Sequence, residues 1–281
     1  MVAFALAPLI LQEAGPAPAA PSQTSITEDN WSLNYSVTAD DGVSISSAYY
    51  KSTQLLYQAT IPYIPVEYND GGEGFDELFS GLLSAGPYRV DLTNGFRIEA
   101  VYTDVIWPAC TSYKYTQRWD FYSDGRFVPT LWIQGPGKMV DHTYHFRLRM
   151  DYDIAGSSSD NFDRWEGGTW VQKTVEHTFW DDDANDPEQY EWRLRDGSRG
   201  FRIGTYDSPA SLAALRYHAG EDDYIANEYP PYPSTNWDNN ESIQNSDLVT
   251  WNVTQRYWSD GPSTCNTGSM VPGPFGKAYG Y

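Results

Sequence analysis

Apolar positions in this chain recur at every second residue, in short runs separated by Gly, Pro, Asn and Asp; this is the period of strands. Trp31 to Val37 and Val43 to Tyr50 flank an Ala39-Asp-Asp-Gly42 turn, which predicts a hairpin. Leu55 to Tyr68 is extended but interrupted by prolines, and reads as an edge strand or border segment. Further strands are expected over Phe96 to Val105, Tyr113 to Tyr122 and Arg126 to Gln134, the last two joined through Ser123-Asp-Gly125. His142 to Ile154 and Leu248 to Trp258 complete the best-defined ladder, and only Pro209 to Tyr217, rich in Ala and Leu, reads as a short helix. With no internal repeat and no heptad, the pattern predicts an all-β fold, a large antiparallel β-sandwich with long loops.

Composition sharpens this picture. A chain of 281 residues can bury one large β core or two smaller ones. Its 22 Tyr, 11 Trp and 11 Phe favour strands, and its 23 Gly and 18 Pro supply turns. A net charge of −20 argues against nucleic acid as a partner, because phosphate binding needs a basic surface, and instead fits solubility or adaptation to salt. The two cysteines, Cys110 and Cys265, lie in no CxxC or Cys/His cluster; a disulfide between them requires an oxidising compartment. The acidic stretch from Trp180 to Glu188 lacks the glycine and terminal glutamate of a calcium loop and reads as a solvated loop.

Residues 1–23 stand apart from the rest. Met1 to Leu11 is almost wholly apolar and leads into an Ala/Pro-rich stretch, with no Lys or Arg before Lys51. The run is too short to span a bilayer, which takes about 20 residues. Two readings are open, a signal-peptide remnant or an apolar arm on a Pro-rich tether that docks on a partner or at a membrane interface; the docking arm is favoured. The expected division is therefore an arm over 1–23 and one β-sandwich domain over 24–281.

Two segments carry a resemblance. From His142 the chain reads His-Thr-Tyr-His-Phe-Arg-Leu-Arg-Met-Asp-Tyr-Asp-Ile-Ala-Gly, and Ser-Ile-Gln-Asn-Ser-Asp-Leu-Val-Thr-Trp runs from Ser242 to Trp251. Together they resemble the end of the catalytic domain of the copper-containing, quinone-cofactor amine oxidases. Trp31 to Asp70 is similar to that family's opening hairpin and following segment, and Tyr224 to Pro230 to its Tyr-x-x-Gly-x-Tyr-Pro stretch. The resemblance implies a supersandwich fold, trimmed here of the family's N-terminal domains and long arms.

Carried over residue by residue, the resemblance places Tyr113 at the quinone-precursor position, with Ser112 and Lys114 replacing the family's neighbours. Asp76, in Phe75-Asp76-Glu77-Leu78, takes the place of the catalytic base. The bland alternatives are a half-buried strand tyrosine and a loop aspartate. His142, Tyr144 and Trp258 fall on the three copper-ligand positions, so one imidazole of three remains. His145 could join it only by a slipped register, since strand alternation sends it to the other face. Copper and the quinone are therefore not expected. Asp151, the Tyr152 carbonyl, Asp153, Asp247 and the Leu248 carbonyl coincide with the family's structural calcium site and supply hard oxygen ligands; the alternative is surface carboxylates beside Arg147 and Arg149.

Three functions follow as expectations. The first is a non-catalytic amine-oxidase-like subunit of an extracytoplasmic, periplasmic or extracellular complex, bound to other proteins and, through residues 1–11, to a membrane surface. The second is a divergent amine oxidase, and the third a secreted ligand- or carbohydrate-binding module.

Overall fold

The computed structural model describes residues 23–135, 140–181, 185–206, 210–221, 238–259 and 268–281. The expected N-terminal arm up to residue 22, the Tyr224 to Pro230 segment and Cys265 lie outside these residues. The strands, in chain order, begin with β1 (Thr24–Glu28), β2 (Trp31–Val37), β3 (Val43–Tyr50), β4 (Thr53–Thr60), β5 (Ile64–Tyr68) and β6 (Glu73–Asp76). After a 3-10 turn over Ser80–Leu82 come β7 (Leu83–Leu92), β8 (Gly95–Thr103), β9 (Lys114–Tyr122), β10 (Arg126–Gln134) and β11 (His142–Tyr152). The remainder are β12 (Asn161–Glu166), β13 (Thr169–Lys173), β14 (His177–Trp180), β15 (Trp192–Asp196), β16 (Arg199–Gly204), β17 (Ala210–Arg216), β18 (Leu248–Trp258), β19 (Gly268–Pro272) and β20 (Phe275–Tyr279).

They form two antiparallel sheets. The first runs β1-β2-β3-β4-β11-β18-β17-β14, with β5 also on β11 and β6 on β5; the second runs β13-β12-β15-β16-β20-β10-β9-β8-β7, with β19 on β10. The expected all-β sandwich is what forms. Alternation along β2 sends Trp31, Leu33 and Tyr35 into the core between the sheets, where Trp31 packs 5.1 Å from Tyr50 and 5.2 Å from Phe121. Its indole N–H reaches across to the Tyr122 carbonyl at 2.8 Å, so one side chain supplies both apolar area and a satisfied polar contact. A second tie is the fully buried Gln117, whose amide accepts from the Val43 N–H at 2.7 Å and donates to the Val43 carbonyl at 3.0 Å.

Three expectations need correction. Within the stretch read as a helix, Ala210–Arg216 forms strand β17: it lies between β14 and β18 with both faces buried, so its apolar residues run without alternation. Leu55 to Tyr68 is not a sheet edge. It divides into β4, paired on both sides by β3 and β11, and β5, and Pro62 falls in the break between them, where no ladder amide is required. Within the acidic stretch, Asp186 is buried and accepts the Glu188 and Tyr190 N–H groups, so it closes a turn instead of meeting solvent.

Strand β11 is buried on both faces. Tyr144, Phe146, Leu148, Met150 and Tyr152 face the sandwich core. On the other face, the Arg147 guanidinium donates to the Tyr63 hydroxyl and lies 4.6 Å from its ring centre, beside the apolar cluster of Leu215, Val249 and Trp251.

Candidate functional site

One end of the sandwich collects the residues singled out in the sequence. Asp76 closes β6, whose pairing with β5 sets Asp76 opposite Ile64. The antiparallel register of β8 and β9 sets Tyr102 opposite Tyr115, and Tyr113 stands just before β9. The register of β11 and β18 sets His142 opposite Trp258. Backbone pairing therefore brings Asp76 and Tyr113 onto the wall of one cavity of about 320 Å3, shared with Tyr102, Asp104 and Tyr115.

Polar contacts fix these groups. The Tyr115 hydroxyl donates to Asp76 Oδ2 at 2.5 Å, and the Tyr68 and Tyr113 hydroxyls are 3.2 Å apart. Burial pushes the Asp76 carboxyl up to about 6; the Tyr115 hydrogen bond opposes this and the Asp104 charge adds to it. Burial also drives the Tyr113 and Tyr115 phenols far above their ordinary range, so both stay protonated. A carboxylate poised near neutrality beside a protonated phenol and a cavity can bind a cation or exchange a proton.

The copper-ligand positions converge behind Tyr113. The ring centres of His142 and Tyr144 are 4.6 Å apart, each lies 6.0 Å from Trp258, and Tyr144 meets Tyr113 edge-on at 6.3 Å. Geometry places the three positions together, but the donor set does not suit copper: an indole has no lone pair to give, a phenol is a poor ligand unless it ionises, and a single imidazole stands among them. His142 Nδ1 lies 2.8 Å from the Val140 carbonyl. His145 points to the opposite face, as alternation predicts, with Nε2 3.2 Å from Glu67; burial, then the Arg147 charge, lower its pKa to about 3 and keep it neutral. Of the other histidines, His218 pairs with Glu241 at 2.7 Å, far along the chain from this cluster.

The calcium candidates gather as well. Asp151, Tyr152, Asp153 and Asp247 line a second cavity of about 280 Å3, and Leu248 opens β18 beside it. Asp151 is 4% exposed, so it is not a surface carboxylate. Burial and the nearby Asp247 and Asp153 charges push its carboxyl up to about 7 against the opposing Arg149 guanidinium, 3.5 Å away. The oxygens are of the right chemical type, yet among the described residues no three His, Cys, Asp or Glu side chains stand close enough to hold one metal ion. Cys110 is disulfide-bonded.

Sequence reasoning missed Tyr68, Tyr102, Asp104 and Tyr115. Tyr115 was within reach, since it shares strand parity with Tyr113; the others require the β8–β9 register and the β5 placement, which no local pattern states.

Comparison with known proteins gives fold-level likeness only. No protein-family model and no curated protein sequence matches the chain. Among solved structures, the copper-containing benzylamine oxidase of Hansenula polymorpha superposes with a TM-score of 0.62 at 12% identity, over 99% of this chain and 63% of that one. The amine oxidase of Aspergillus nidulans gives 0.62 at 12% identity, over 99% and 55%, and the lysyl oxidase of Pichia pastoris 0.56 at 13%, over 91% and 51%. The fold is thus amine-oxidase-like, and the chain spans between about half and under two thirds of each of these proteins.

Proposed function

We propose that this chain is a non-catalytic, amine-oxidase-like β-sandwich acting as a structural or accessory subunit of an extracytoplasmic, membrane-associated protein assembly. The observation that carries the reading is the donor set: where three imidazoles would be needed, a phenol and an indole pack against a single histidine. Copper-dependent formation of a quinone from Tyr113 has no chemistry to draw on in such a pack. Large side chains left in solvent support a role in association: Tyr57, Tyr88, Ile106 and Tyr257 are more than half exposed, and Val105 is 87% exposed. The disulfide at Cys110 supports an oxidising compartment, periplasmic or extracellular. To brace β11 and β18, calcium would have to draw Asp151, Asp153 and Asp247 closer together, with the Tyr152 and Leu248 carbonyls completing its oxygen shell.

A second reading, a divergent oxidase of primary amines, draws on the shared cavity of Tyr113 and Asp76. Elemental analysis of protein from its native source, with identification of copurifying chains, separates the two. Calcium without copper, with stoichiometric partners, supports the subunit; stoichiometric copper with a positive quinone stain replaces it with the oxidase.

A further inference from the structure

The outer face of the second sheet carries a row of like charges. Pairing sets Arg193 of β15 opposite Arg202 of β16, Arg202 opposite Lys277 of β20, and Lys277 opposite Arg126 of β10. Their strand neighbours Leu194, Phe201, Ala278 and Phe127 belong to the core, so by alternation all four cations point away from it. Four basic side chains thus stand side by side on four adjacent strands, in a chain with 18 Lys and Arg against 38 Asp and Glu. Like charges directly opposite one another destabilise a sheet unless anions offset them.

The nearby carboxylates do this only in part. Asp163 is shared by Arg193 at 2.6 Å and Arg195 at 2.7 Å; Arg202 reaches Glu188 at 3.0 Å and Asp186 at 3.5 Å; Arg126 holds Asp124 at 2.9 Å. Lys277, half-buried between Arg202 and Arg126, has no ion pair or hydrogen bond among the described residues. Aromatic rings fix the guanidiniums on the face: Arg193 lies 4.7 Å from the Trp170 ring centre, Arg202 5.0 Å from Tyr279 and Arg126 4.5 Å from Tyr122. The row is therefore preorganised, with one cation left over.

We propose that this row is the docking surface for an acidic segment of a partner protein, laid in extended form across β15, β16, β20 and β10. The inference rests on the reading of the chain as a subunit of an assembly. Spacing selects the chemistry of the partner. Adjacent strands lie about 4.8 Å apart, so the four cations span about 14 Å. Acidic side chains at every second position of an extended peptide recur about every 6.8 Å, and three of them cover the same distance. A nucleic acid or an anionic bilayer brings many charges at once into the field of a chain of net charge −20, whereas three carboxylates meet mainly the local cations. Carboxylates are also the groups that already stand beside each arginine on this face.

The test titrates the full chain, at neutral pH and low ionic strength, into a fluorescein-labelled peptide of alternating Glu and Thr and reads its anisotropy. The comparison probes are the same peptide with Gln for Glu, a labelled single-stranded DNA, and phosphatidylserine vesicles read by cosedimentation. The acidic peptide is expected to bind at least about tenfold more tightly than its Gln counterpart, because three partly exposed ion pairs are lost together, and to weaken as salt is raised. Lys277→Ala should weaken it about threefold and Lys277→Glu at least about tenfold. Both variants should unfold at or above the parent's temperature, because each removes a cation flanked by cations. Equal binding of the two peptides, no binding of the acidic peptide at millimolar protein, tighter binding of DNA or vesicles, indifference to Lys277→Glu, or a lower Tm in that variant overturns the proposal. Elemental analysis separates this outcome from the reading beneath it: peptide binding by a copper-loaded, quinone-positive protein keeps the docking surface and strikes the non-catalytic subunit. Failure to bind the peptide in a copper-free protein with stoichiometric partners does the reverse.

Discussion

Replacing Tyr144 and Trp258 together by histidine should create a metal site, because the three positions already converge. A metal bound by imidazoles at about 2 Å lies about 3 Å from each ring centre, so ring centres of ligands at ordinary coordination angles stand about 4.5–6 Å apart. The centres of His142, Tyr144 and Trp258 are 4.6, 6.0 and 6.0 Å apart, within that window. The metal-free variant will be weakened. Tyr144 is fully buried and Trp258 partly so, and shrinking both costs about 3–4 kcal/mol, with some non-additivity since the rings touch. At about 2–4 °C per kcal/mol this is a fall in Tm of about 6–15 °C. A metal that binds only the folded state returns about 2.7 kcal/mol at a concentration one hundred times its Kd. Thermal scans with and without Cu(II) or Zn(II) should therefore show a rise of about 5–10 °C in the double variant and none in the parent. A folded double variant whose Tm ignores both metals would refute the correspondence of these positions with a ligand set.

Three further outcomes are expected. Gln117→Leu leaves the Val43 N–H and carbonyl without their cross-sheet partner and should lower stability by about 2–4 kcal/mol in urea titrations at unchanged m; a loss below about 0.5 kcal/mol would show that the tie is dispensable. Burial pushes the Glu191 carboxyl up to about 8 despite its hydrogen bonds from Arg164, with the Asp181 charge adding to the rise. A folded-state pKa raised above the unfolded value contributes stability at low pH that fades as pH climbs towards 8. Glu191→Gln should therefore flatten the decline in Tm between about pH 5 and 8, and an unchanged slope would remove Glu191 as its source. Excess calcium should raise the Tm of the parent, and Asp153→Asn or Asp247→Asn should abolish the rise; no response in the parent eliminates the calcium site.

Much of the framework was legible because one face of many strands meets the core and the other meets solvent. In β2, Trp31, Leu33 and Tyr35 alternate with Ser32, Asn34 and Ser36, and the strand is plain from the letters alone. Where that asymmetry disappears, so does the signal. β17 is buried on both faces, and its Ala and Leu content is indistinguishable from a short helix until β14 and β18 pair with it. β12 escaped for the opposite reason. Asn161 and Asp163 are buried, Asp163 held by Arg193 at 2.6 Å and Arg195 at 2.7 Å, so polar letters stand at buried positions and disguise the strand. The site divides along the same line. His142, Tyr144 and Trp258 could be grouped because strand parity and one ladder relate them, whereas the meeting of Asp76 with Tyr113 depends on β6, which no local pattern announces.

The His142–Tyr144–Trp258 pack and Asp76 respond to different physical demands. β11 and β18 are held in register by the inner face of β11, from Tyr144 through Phe146, Leu148 and Met150 to Tyr152, so His142 stays opposite Trp258 whichever side chains occupy those positions. Three buried imidazoles without a metal would leave polar nitrogens unsatisfied, whereas a phenol and an indole add apolar contact, so stability alone favours the aromatic pack. Asp76 runs against that logic. Its raised pKa of about 6 signals a carboxylate held where burial disfavours its charge, and Tyr115 offsets only part of the penalty. An apolar residue at that position would be the more stable choice for a scaffold alone. The Asp76 carboxylate is therefore held at a cost to stability that packing alone does not require.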